Sequence, residues 1–456
     1  MNTVVTTRKG KIRGCAEDGC LVFKGIPYAK PPVGNLRWKA PQETESWDGI
    51  YEATRFSCKA VQGEQNVGFY GKEFYADPAY AAQTSEDCLY LNIWAPGKAE
   101  HTELPKKGTG TDAGLPVAFW IHGGAFMSGY GSEQEFDGAA YAKRGVILVT
   151  INYRLNVYGF LAHPWLSAES DNGVSGNYGI LDQIAALKWV YDNIGAFGGD
   201  PDNITIFGQS AGAMSVQTLL SSELTGNMIA KAILQSGGSY GKGIHRDMPL
   251  QEAEEYGVRF AKLAGAKDLE ELRAMSVQDL EKPFGQMMEE AFTSGKGLFL
   301  VPNIDHCLLK QGYNNTIEEK KLKHIPYLLG STKNDIMVTK EELAAGERGN
   351  LYEGCAAFSH KMEELWNEPS YVYYFTRQMP GDEEGAFHSS ELWYMFGTVK
   401  RCWRPLTEAD EELSERMLDY WTNFMKNGTP NGDGLPEWKP CSQAEPFVME
   451  FNISSF

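Results

Sequence analysis

The sequence predicts an α/β fold: a large, mostly parallel sheet covered on both faces by helices. Two observations lead there. Nearly continuous apolar runs recur at residues 115–121, 146–151, 204–207 and 231–234, the pattern of strands buried on both faces. Between and after them lie residues 182–194 and 211–222, where apolar positions recur at the three- and four-residue spacing of a helix. Strands alternating with helices in this way build parallel sheets. The chain has 456 residues, enough to bury a sizeable core. It reads as a single domain over residues 1–456, since large α/β sheets often exceed the usual domain length.

Taken in order, residues 3–6, 11–13 and 20–23 read as short strands, and a small N-terminal antiparallel sheet is expected. Residues 23–34 contain Pro27, Pro31 and Pro32 and read as a stiff, irregular surface segment. Residues 60–85 are polar and aromatic without period, which suggests a long loop or a short helix. A strand returns at 86–94, and the Gly, Thr, Lys and Asp of 97–114 predict a flexible surface loop. Residues 242–300 break the alternation. They carry amphipathic helices at 250–264 and 277–290 and no sheet strand, and read as an inserted helical region near the active site. Strands resume at 325–329 and 371–375, a helix covers 408–426, and a last strand covers 447–451.

Composition excludes several classes. The net charge is −18 and Lys and Arg are not clustered, so no nucleic-acid partner is expected. No apolar run approaches membrane-spanning length, and no membrane association is expected. Residues 1–14 lack the apolar core of a secretory signal, so the expected location is cytoplasmic. Eight cysteines lie without metal-binding spacing, and reduced thiols are the expectation. No metal, nucleotide or haem site is visible, and Gly108-Thr109-Gly110 lacks the Lys-Ser/Thr of a phosphate loop. No cofactor is expected.

The chemistry gathers around residues 204–215. Four β-prone residues run into Gly208-Gln209-Ser210-Ala211-Gly212, and a small-residue run able to form a helix follows. This is the strand–turn–helix setting of a nucleophile elbow, in which Ser210 is held clear of the sheet above a helix N-terminus. A serine nucleophile needs a base, an acid to hold that base, and donors for the oxyanion. His122 lies in Trp120-Ile121-His122-Gly123-Gly124-Ala125, where the glycines suit backbone N–H donation better than base chemistry. Gly124, Ala125 and Ala211 are therefore the expected oxyanion donors. His388, late in the chain, is the expected base, and nucleophile, acid, histidine is the order this sheet type requires. His101, His163, His245, His306, His324 and His360 read as solvated or core residues. The acid should follow the strand at 325–329. Asp335 fits, with Glu341 and Glu342 as alternatives that the residues alone do not separate.

These motifs together resemble the type-B carboxylesterase family of α/β-hydrolases, which includes cholinesterases and bacterial para-nitrobenzyl esterases. The resemblance rests on Phe23 to Ala29, Pro31 to Arg37, Ser85 to Asn92, Asn152-Tyr153-Arg154, Gly176 to Gln183, the stretch from Asn193 through the elbow, and Ile233 to Gly237. It implies an α/β-hydrolase fold and a catalytic set of Ser210, His388 and a carboxylate at Asp335. Many members carry Glu at that position, and Asn334 could share the role here. The resemblance also implies Ser236 as a supporting hydroxyl behind the triad, and structural ion pairs Arg37–Glu86 and Arg154–Asp182. Cys58 and Cys88 match the ends of a disulfide-closed loop in secreted members. Ala125 replaces the last of three glycines. Gln209 stands before the nucleophile, where cholinesterases have Glu, and the loop before Glu86 lacks their choline-binding tryptophan. A quaternary-ammonium substrate is therefore disfavoured. The expected function is a serine carboxylesterase acting on small to medium uncharged esters through an acyl-enzyme on Ser210. A non-catalytic adhesion protein on the same fold and an amidase or peptidase with the same triad are the alternatives.

Overall fold

The computed structural model describes residues 3–97, 114–295 and 297–454. Ten strands form one sheet: β1 (Cys15–Glu17), β2 (Cys20–Pro27), β3 (Tyr90–Pro96), β4 (Leu115–Ile121), β5 (Ile147–Ile151), β6 (Gly199–Gln209), β7 (Lys231–Gln235), β8 (Tyr327–Thr332), β9 (Tyr371–Phe375) and β10 (Met449–Phe451). Their order across the sheet is β10-β9-β8-β7-β6-β4-β5-β3-β2-β1. All pairings from β10 to β5 are parallel, and β3, β2 and β1 add antiparallel strands at one edge. A separate small sheet pairs Val4–Thr6 with Lys11–Arg13 antiparallel, and Ile50–Glu52 joins it in parallel.

The apolar runs are strands because alternate residues feed two different cores. Phe119, Ile121, Ile206, Leu234 and Leu329 belong to one cluster. Trp120, Phe207, Ile233 and Leu328, their sequence neighbours, belong to the other. Seven helices matter here: α1 (Gly68–Phe74), α2 (Tyr178–Asn193), α3 (Ala211–Ser221), α4 (Leu250–Ala264), α5 (Leu269–Ala274), α6 (Val277–Ser294) and α7 (Glu408–Asn427). Helices α2 and α3 cover the first face, while Leu418, Trp421 and Phe424 of α7 fill the second. Among the described residues, no helix is long and apolar enough to cross a membrane.

Some expectations need correction. Residues 23–27 are not an irregular surface segment. Phe23 and Ile26 are fully buried within β2, and the irregularity is confined to a bulge where Gly25 takes φ +72°. The strand runs through the first of the prolines, Pro27, which pairs with Tyr90. The region 242–300 does hold a two-residue strand, Met248–Pro249, paired with Asn303–Ile304. Residues 60–85 contain the short helix α1. The loop expected at 97–114, with Gly108-Thr109-Gly110 and His101, lies almost wholly outside the described residues.

Candidate active site

Ser210 terminates β6 and opens α3 with φ +57° and ψ −125°, a strained turn for a residue with a side chain. Gly208 must be glycine, because a Cβ there would lie 2.5 Å from the backbone carbon of Gly212. Ala211 is the first residue of α3, so its N–H has no partner within the helix. Opposite, the loop leaving β4 keeps Gly124, Ala125 and Phe126 at φ +99°, +56° and +60°. Among the described residues, the N–H groups of Gly124, Ala125 and Ala211 take no backbone partner outside regular elements. Gly123 abuts the elbow: a Cβ on it would lie 3.2 Å from Cβ of Ser210.

Asp335 lies three residues past the end of β8, and the chain folds it back against Thr332, the last residue of that strand. Its Oδ1 meets Nδ1 of His388 at 2.5 Å and accepts from the N–H of Ile336 at 2.9 Å. Its Oδ2 accepts from the Ser236 hydroxyl at 2.6 Å and the Thr332 N–H at 3.0 Å. Burial pushes the Asp335 carboxyl up, but His388 and these donors outweigh it and hold the group below its ordinary range. Burial pushes the His388 imidazole down, yet Asp335, with a smaller contribution from Glu391, raises it overall. Among the described residues, Asn334 makes no hydrogen bond to the imidazole. Its Oδ1 accepts from the Ala386 N–H at 3.0 Å, and its own N–H donates to the Ala386 carbonyl at 2.9 Å. Glu341 is exposed and Glu342 half-buried on a short helix, where Glu342 accepts from the N–H of the capping residue Thr339.

The ring partners of His388 among the described residues are Asp335 and the side chain of Gln209. The Ser210 hydroxyl is half-buried and makes no hydrogen bond to the imidazole in this structure. Such contacts commonly tighten only around substrate. His122 is buried, bonds the Gly123 carbonyl through Nδ1 at 2.9 Å and stacks on Tyr153; burial lowers its pKa to about 4. It is a core residue. The two ion pairs form as expected, Arg37–Glu86 at 2.5 and 2.6 Å and Arg154–Asp182 at 2.7 Å. Cys58 and Cys88 are free thiols.

Two neighbours of the triad went unread in the sequence. Tyr70 of α1 donates its hydroxyl to the His388 carbonyl at 3.3 Å; nothing in an aperiodic segment signals that. Glu391 is fully buried, accepts from Gln235 at 3.3 Å, and leaves Oε2 without a hydrogen-bond partner among the described residues. Burial, then the charge of Asp335, raises its pKa to about 7. Its place three residues after His388 was the available signal.

A model of the carboxylesterase family matches residues 1–353 and 350–456. The chain is 34% identical to the para-nitrobenzyl esterase of Bacillus subtilis (strain 168), over 95% of this chain and 91% of that one. It is 32% identical to the fumonisin B1 esterase of Sphingopyxis macrogoltabida, over 98% and 85%. A solved structure of a PNB esterase superposes with a TM-score of 0.84 at 31% identity, covering 99% of this chain and 96% of that one. A carboxylesterase of Geobacillus stearothermophilus superposes with a TM-score of 0.79 at 32% identity, with the same coverages.

Proposed function

The chain belongs to the carboxylesterase family, a group of serine ester hydrolases, and from that premise we propose that Ser210, His388 and Asp335 are its catalytic triad. The protein is a serine carboxylesterase and its substrates are small-molecule carboxylic esters. The observation that carries the residue assignment is the 2.5 Å contact between Asp335 and Nδ1 of His388, beside the strained elbow of Ser210.

In this reading Ser210 attacks the ester carbonyl carbon. His388 accepts the hydroxyl proton on Nε2 and passes it to the departing alkoxide, which leaves as the alcohol. Asp335 keeps the other ring proton on Nδ1 and stabilises the imidazolium. The N–H groups of Gly124, Ala125 and Ala211 hold the oxyanion, and one such donor is typically worth about 3–4 kcal/mol of barrier. Water, activated by the same histidine, then releases the acid from Ser210. Ser236 supports Asp335, and residues 242–300 form an inserted helical region of a single domain. The preferred esters are small to medium and uncharged, because Gln209 stands where cholinesterases carry Glu and the loop before Glu86 lacks a tryptophan to hold a quaternary ammonium. The free thiols of Cys58 and Cys88 favour a reducing, cytoplasmic setting.

The test is hydrolysis of a para-nitrophenyl acyl ester by the Ser210→Ala protein. Loss of turnover, with loss of fluorophosphonate labelling, is the expected result. Undiminished activity would remove Ser210 from the mechanism.

A further inference from the structure

Gln209 touches His388 in a way that an ordinary hydrogen bond does not explain. Its side-chain nitrogen lies 3.2 Å from Nε2 of the imidazole and 3.5 Å from Nδ1. The two ring nitrogens flank Cε1, and their in-plane lone-pair directions diverge. An atom lying on either direction would be near one nitrogen and far from the other. An atom in the plane and near both would collide with Cε1 and its hydrogen. A nitrogen almost equidistant from the two therefore stands over the face of the ring, in an N–H to π contact. Nδ1 is already held by Asp335 at 2.5 Å. The outward direction from Nε2, the one a base must use, is left clear by the amide.

The other end of the carboxamide faces the oxyanion loop. A Cβ on Gly123 would lie 3.2 Å from Oε1 of Gln209 and 2.7 Å from its main-chain oxygen. Gln209 is 2% exposed, so it has no freedom to turn elsewhere. We propose that Gln209 is a positioning residue for His388: an uncharged wedge between the imidazole face and Gly123 that fixes the ring plane and leaves Nε2 open to the Ser210 hydroxyl. The inference rests on the triad reading above and says how that triad is kept in register.

The charge of the wedge matters because other groups already act on this ring. Asp335 faces it from the β8 loop, and Glu391 from its own turn. Tyr70 of α1 bonds its carbonyl, with Glu384 close to that phenol. Arg404 lies 4.9 Å over the neighbouring Phe387 ring, but is paired with Glu73 and Asp382. Negative charge thus prevails around the imidazole. A further carboxylate on its face would favour the protonated ring and move the range in which the base works to higher pH.

The experiment compares kcat, KM and the pH profile of kcat/KM for wild type, Gln209→Leu and Gln209→Glu, with Ser210→Ala as control. Gln209→Leu fills the space without the amide: kcat should fall roughly tenfold or more at pH 8 with KM little changed, because the ring loses its orientation. Gln209→Glu should move the acid limb to higher pH by about one unit. A residue with a merely structural role would leave that limb in place. Wild-type kcat in Gln209→Leu, or an unmoved acid limb in Gln209→Glu, overturns the proposal. If Gln209→Glu does not fold, the rate of fluorophosphonate inactivation of Gln209→Leu decides, and a wild-type rate across the pH range overturns it. An active Ser210→Ala protein would instead sink the triad reading, so the two failures are distinguishable.

Discussion

The Ser236 hydroxyl donates to Oδ2 of Asp335 at 2.6 Å, while the other oxygen of the same carboxylate holds His388. Ser236 follows β7 and itself takes φ +49°, so the sheet bends a serine into an unfavourable conformation to reach the acid. Ser236→Ala removes one of the donors that keep Asp335 ionised. A lost hydrogen bond to a charged group is worth about 1.5–3 kcal/mol. Steady-state assays should show a fall in kcat of roughly ten- to a hundredfold with the fold intact by circular dichroism.

Asp335→Asn keeps the shape of the side chain but offers an amide where the imidazole needs an acceptor. The ring is then free to take the wrong tautomer, and kcat should drop by about four orders of magnitude. Thermal melting should change far less than activity. Comparable losses in Glu341→Gln or Glu342→Gln would contradict the assignment.

The pH profile follows from the raised pKa of His388, which lies above the ordinary 6.5. The base works when neutral, so activity is lost as pH falls through that raised value. The acid limb of kcat/KM should therefore lie above pH 6.5. Glu391→Gln takes one negative charge away and should shift the limb toward lower pH. A shift the other way would mean that Glu391 acts through something besides its charge.

Glu133 and Glu135 are buried side by side; burial, the largest effect, raises Glu133 to about 7 and Glu135 well above its ordinary value, the latter also through the charge of Glu133. A carboxyl with a raised folded pKa holds more protons folded than unfolded. Its contribution is favourable below the unfolded value and is lost as pH climbs through the folded one. Stability should thus decline between about pH 4.5 and 7 on account of this pair. Glu135→Gln should raise the melting temperature at pH 8, by about 1–3 kcal/mol in stability, and do little at pH 4.5. Equal effects at both pH values would refute the explanation.

Ala125 carries a side chain at φ +56° in a loop where glycine would be unstrained. Ala125→Gly should stabilise the protein by about 0.5–1 kcal/mol in chemical denaturation. On the triad reading it should also raise kcat/KM for bulky esters relative to acetate esters, since a methyl leaves the loop that holds the oxyanion.

The central strands were legible because each is buried on both faces, and Leu115–Ile121 and Tyr371–Phe375 fall where the apolar runs do. The elbow was legible because close packing of Gly208 against Gly212 forces a glycine pattern. Phe23 and Ile26 were misjudged because the prolines around them are a local signal, and burial in β2 is not local. Asp335 could not be told from Glu341 by residue type. What separates them is the turn that folds one under β8 and leaves the other in solvent, a tertiary fact. Tyr70 was invisible for the same reason: its bond to the His388 carbonyl joins positions 318 residues apart.

Asn334 is stitched to Ala386 by hydrogen bonds in both directions, at 2.9 and 3.0 Å. Acid and base are thus joined through the main chain as well as through their side chains, whereas the Ser210 hydroxyl has no hydrogen bond to the imidazole. Heat or cosolvent that loosens the molecule will part nucleophile from imidazole before it parts imidazole from carboxylate. An enzyme silenced by mild warming should still display, in its proton NMR spectrum, the far-downfield resonance of an intact histidine–aspartate bridge.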